Sequence, residues 1–121
     1  MSTDRTVTIA FENASSSGVS VTSFSPPPSS WVSGKTPCLG QEIDAQSSQE
    51  WATFAPMLNL LQGDLILQIL AGGSLTISWY WPYGDKPQGG ATVQGTGFTV
   101  TSGLSNVGQS DVVLSVTLTD S

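Results

Sequence analysis

The sequence predicts an all-β fold: a single-domain β-sandwich of about seven or eight mostly antiparallel strands, spanning residues 1–121. Three observations predict it. Apolar and polar residues alternate with a period of two in segment after segment, the signature of half-buried strands. Gly, Pro, Ser and Asn cluster between those segments at short intervals, as turns require. Heptads, tandem repeats and strand–helix alternation are absent, which argues against a parallel α/β architecture.

The elements follow in order. Thr6 to Phe11 places Val7, Ile9 and Phe11 on one face of a first strand. Glu12 to Gly18 is a polar turn, and Val19 to Phe24 resumes the extended pattern, so the two segments are expected to pair as an opening hairpin. Pro26, Pro27 and Pro28 cannot donate to a ladder and mark a loop, which continues past Trp31 through Gly34, Pro37 and Gly40. Glu50 to Phe54 reads as a strand, and Pro56 opposes a helix over residues 51–61. Asp64 to Leu70 is apolar almost throughout, as a buried central strand would be. Ala71 to Ser74 is a turn, and Leu75 to Trp81 alternates again. Pro82 to Gly90 holds two Pro and three Gly and reads as a long loop. Ala91 to Thr101 forms one or two short strands, broken at Gly95 and Gly97. Asp111 to Thr119 closes the fold, with Val112, Leu114, Val116 and Leu118 toward the core and Ser115, Thr117 and Thr119 toward solvent.

Composition excludes whole classes of function. Nine acids face three cations, Arg5, Lys35 and Lys86, for a net charge of −6. Nucleic-acid binding needs a basic footprint to neutralise phosphates, so nucleic acid is rejected as a partner. The same deficit opposes simple electrostatic docking on anionic lipid. A membrane would have to be met through a specific head group or through aromatic side chains. With no His, the chain has no Ser-His-Asp or Cys-His arrangement and no imidazole metal ligand. The single cysteine, Cys38, excludes an intrachain disulfide and reads as a structural or idle thiol. Glu12, Glu42, Glu50 and Asp64 are the candidates for a hydrolytic carboxylate pair, but nothing in their spacing pairs them. No phosphate-cradling glycine loop or calcium loop is present. The expectation is therefore a protein that is not an enzyme and has no catalytic residue, no metal site and no cofactor. The segment Met1 to Arg5 lacks the apolar stretch of a signal peptide. Synthesis in a cytoplasm or inclusion body is expected, with release to act elsewhere.

Aromatic chemistry remains. Trp79-Tyr80-Trp81-Pro82-Tyr83 is the densest cluster. In a strand, Trp79 and Trp81 share one face and Tyr80 takes the other, and one of those faces must be core. Tyr83 follows Pro82 in a loop beside Gly84 and Lys86, where an exposed ring is expected. Trp31 is a second loop aromatic, with Lys35 four residues on. Aromatic rings with a polar edge suit membrane interfaces and sugar faces alike. A nearby lysine can reach a phosphate or a ring face.

These residues carry a resemblance to the aegerolysins, small β-sandwich proteins of fungi and bacteria that include insecticidal crystal-inclusion proteins. The resemblance runs along nearly the whole chain. It rests on Glu12-Asn13 ending the first strand, Trp31 after the second, Gln62-Gly63 opening a central strand, and the Pro82-Tyr83-Gly84-Asp85-Lys86 loop after an aromatic strand. It implies recognition of membrane lipids, notably sphingolipid head groups alone or in sterol-rich membranes. It also implies a role as the receptor-binding half of a two-component pore-forming cytolysin, whose larger partner carries a membrane-attack-complex/perforin domain. Trp31, Tyr83 and Lys86 fall on positions the resemblance assigns to lipid binding, and Tyr80 or Trp81 falls near another. Gln62 stands where sphingomyelin binders carry an acid tied to sterol-dependent recognition, so the resemblance does not extend to a sterol requirement. Thr6 replaces an aromatic of some members, and the loop is shorter than in the fungal lipid binders. A monomer or weak homo-oligomer is expected. The residues alone leave two other readings open: a carbohydrate-binding lectin, and a crystal-inclusion structural protein.

Overall fold

The computed structural model describes residues 5–56 and 59–121. Nine strands are present among them: β1 Arg5–Asn13, β2 Val19–Ser25, β3 Glu42–Ile43, β4 Ser47–Ala55, β5 Leu61–Ile69, β6 Ser74–Trp81, β7 Gln88–Gln94, β8 Phe98–Ser105 and β9 Asp111–Asp120. A single 3₁₀ turn, Pro28–Ser30, follows the proline run. The strands form two sheets, β4-β1-β9-β8 (sheet A) and β3-β2-β5-β6-β7 (sheet B). All pairings are antiparallel except β1 with β9. The predicted β-sandwich is observed, with β5 at the centre of sheet B as its apolar run requires.

The period-two pattern is what closes the sandwich. Val7, Ile9 and Phe11 of β1 meet Val112, Leu114, Val116 and Leu118 of β9 and Leu65, Leu67, Ile69, Leu75 and Ile77 of sheet B in one core from which water is excluded. Each such side chain contributes about 1.5–3 kcal/mol through burial. Phe11 stacks on Trp51 with ring centroids 6.1 Å apart.

The expected opening hairpin does not form. β1 pairs with β4 and β9 in sheet A, and β2 pairs with β3 and β5 in sheet B. Residues 14–18 are an arch between sheets, and Asn13 organises it. Its buried amide donates to the carbonyls of Ser17, Ile43 and Asp44 at 2.8, 3.2 and 3.1 Å, while its oxygen accepts from the Ser15 hydroxyl at 2.6 Å. These bonds tie the turn at Ser17 to the end of β3 at Ile43 and Asp44. The 91–101 region resolves into β7 and β8, which lie in different sheets, and the preceding loop shortens to residues 82–87 because Gln88 already pairs with Tyr80.

Candidate functional site

One end of the sandwich collects the start of β1, the ends of β4 and β6, and the start of β9. Arg5 stands at its centre. It shares the inward parity of Val7 and Ile9, so a guanidinium enters the rim of the core, 8% exposed. A charge there must be hydrogen-bonded. Nη1 donates to the Trp81 carbonyl at 2.9 Å, and Nη2 donates to the Asn59 carbonyl. The guanidinium carbon lies 5.0 Å from the Trp81 ring centroid and 5.6 Å from that of Tyr83, within cation–π range of both. Among the described residues the Nε of Arg5 has no hydrogen-bond partner.

The loop after β6 is stapled onto this cation. Trp81 Nε1 donates to the Asp85 carbonyl at 2.9 Å, and the Asp85 amide donates to the Pro82 carbonyl at 3.1 Å. Gly84 takes a φ of 82°, a left-handed conformation that favours glycine over any residue with a Cβ. The turn therefore holds Tyr83 half-exposed with Arg5 at its ring, and Lys86 is exposed beside it. Leu60, just before β5, and Val107, in the 106–110 connection, are both exposed at the same end.

The six residues singled out from sequence divide three ways. Tyr83 and Lys86 lie on this loop. Trp31 and Trp81 are buried, at 3% and 7% exposure. Trp31 sits edge-on to Phe24 and Trp79, with centroids 5.8 and 5.7 Å away, and its indole N–H donates to the Pro26 carbonyl at 2.8 Å. Its ring faces core residues, so it can shape the loop but offers no surface to a ligand. Lys35 turns away from it to Glu50, at 3.2 Å, in an exposed pair worth no more than about 1 kcal/mol. Gln62 and Tyr80 are the third group. They are cross-strand partners on the outer face of sheet B, both exposed.

Sequence reasoning missed Arg5. The signal was available: extending the alternation of β1 back by one step puts a lone cation on the core face, where it must find carbonyls or rings. Among the described residues no group of three or more Cys, Asp or Glu is placed to hold a metal ion.

The two-sheet β-sandwich is a fold that solved structures share. RahU, solved in complex with a TRIS molecule, is similar to 97% of this chain over 96% of its own, with a TM-score of 0.68 and 13% sequence identity. IP-1A from Alcaligenes faecalis is similar to 96% of this chain over 91% of its own, with a TM-score of 0.67 and 13% identity. At that identity the likeness shows the fold. No family model and no curated protein sequence matches the chain.

Proposed function

We propose that this is an aegerolysin-type membrane lipid-binding protein that meets a sphingolipid head group through the loop end carrying Tyr83. The observation that carries the reading is the half-exposed Tyr83 ring, fixed over Arg5 and flanked by exposed Lys86 and Leu60. An aromatic ring with a polar edge suits the membrane–water interface, Lys86 supplies a mobile donor for a phosphate, and Leu60 adds apolar area. The shared fold with RahU and IP-1A supports the same reading. Binding rather than catalysis is proposed, because the chain has no His and its acids are scattered. A larger perforin-like protein is the proposed partner, with this chain as the receptor-binding component of the pair.

Sedimentation with liposomes tests it, using sphingomyelin, ceramide phosphoethanolamine and phosphatidylcholine vesicles with and without cholesterol. Sphingolipid vesicles are expected to carry the protein down. Tyr83→Ala and Lys86→Ala are expected to weaken that binding while leaving the melting temperature nearly unchanged. Absence of binding to every vesicle, or wild-type binding by both variants, overturns the proposal.

A further inference from the structure

We propose that the outer face of sheet B is a separate binding site, for a neutral oligosaccharide chain. Register builds it. Gln62, Tyr80 and Gln88 form one cross-strand row, and Ser25, Asp64, Ser78 and Gly90 form the next. Alternate positions point the same way, so these side chains share the solvent face. Three shallow depressions of 340, 340 and 300 Å³ meet at Ser78, the third reaching past the sheet edge to Ser102 of β8. Tyr80 and Gln88 line the first, Gln62 and Asp64 the second, and Thr76 and Thr92 the third.

Gly90 keeps this face open. At Gly63 a Cβ would stand 2.5 Å from the Ser25 carbonyl oxygen and 2.6 Å from the Trp79 ring, and at Gly89 it would press on Leu114 at 3.2 Å. Packing explains both glycines. At Gly90 a Cβ would meet only the Ser102 hydroxyl, at 3.6 Å, and the backbone is not left-handed. Glycine within a strand is destabilising, and the fold does not demand it here. Its effect is to lower the trough to backbone level between two of the depressions.

The chemistry selects the ligand. Tyr80, 46% exposed, offers a ring face and a hydroxyl. Carboxamides, hydroxyls and one carboxylate supply donors and acceptors together. A pyranose presents the complement, an apolar C–H face and a rim of hydroxyls. None of the side chains lining the three depressions is cationic, and Asp64 stands among them, so phosphate or sulfate would go unneutralised. Apart from Ala91, Tyr80 and the buried Trp79 none is apolar, which disfavours an extended apolar protein partner. The open shape suits a chain lying across the sheet rather than an enclosed small molecule.

Isothermal titration with cellohexaose, maltohexaose, chitohexaose and mannohexaose tests the proposal. At least one is expected to bind with a Kd of about 1 mM or tighter. Tyr80→Ala, which removes the ring, and Gly90→Gln, which fills the trough, are each expected to weaken it by ~10-fold or more. Neither variant should lower the melting temperature or weaken liposome binding, which separates this face from the loop end. No binding of any hexasaccharide, or unchanged affinity in the two variants, overturns it.

Discussion

The loop end and the outer face of sheet B each display one exposed tyrosine, and the two are held in opposite ways. Tyr83 lies in a turn fixed by Gly84, the Trp81–Asp85 hydrogen bond and the Arg5 guanidinium. Tyr80 stands on a regular strand, and its outward direction follows from alternation alone. The first is positioned by long-range contacts across the sandwich, since Arg5 and Trp81 are 76 residues apart in the chain. The second is positioned by local geometry. Changes to the buried groups that hold the loop, Arg5 above all, should therefore disturb stability as well as binding, whereas changes to exposed side chains on the loop or the sheet face should disturb chiefly binding.

The largest effect is expected at Trp31. Trp31→Ala removes a buried ring from between Phe24 and Trp79 and should cost about 3–5 kcal/mol in urea unfolding. A loss under 1 kcal/mol, with liposome binding abolished, would instead make Trp31 a lipid contact. Arg5→Lys comes next. Lysine keeps the charge but lacks the planar fork that reaches two carbonyls. About 1.5–3 kcal/mol should be lost, and limited proteolysis should speed up between residues 82 and 87. An unchanged cleavage rate would separate Arg5 from the loop. Tyr83→Ala should lose no more than about 1 kcal/mol of stability while lowering affinity for sphingolipid vesicles by ~10-fold. Equal loss of affinity in Tyr80→Ala would merge the two regions into one site. The smallest stability effect belongs to Tyr80→Ala itself, within about 0.5 kcal/mol by thermal or urea denaturation, because the ring is exposed on the solvent face of its strand.

Much of the fold was legible because a strand's buried face repeats every second residue. Val7, Ile9 and Phe11 and the four apolar residues of the last strand were read directly and are buried. The same periodicity is silent about partners. The extended pattern of Val19 to Phe24, which a bulge between Val21 and Ser23 interrupts, does not specify whether the strand pairs with β1 or with β5, so the hairpin expectation failed at the arch that Asn13 holds. Trp79, Tyr80 and Trp81 were correctly assigned to opposite faces, but which face is core depends on sheet A lying over the two tryptophans. Trp31 read as a loop aromatic because proline and glycine surround it. Its burial comes from a bridge to Thr53 and from the neighbouring Phe24 and Trp79 rings.

By itself the sequence determined the strand content, the core face of β1 and β9, the breaks at glycine and proline, the absence of imidazole chemistry and the exposure of Tyr83. These are local or compositional properties, set by side-chain period, backbone freedom and residue type. Tertiary structure alone decided that β1 and β2 lie in different sheets, that Arg5 becomes the anchor of the aromatic loop, and that Gln62, Tyr80 and Gln88 stand in one row. Those depend on which strands come together and in what register, and pairing energies between distant segments leave no mark in either segment's own pattern.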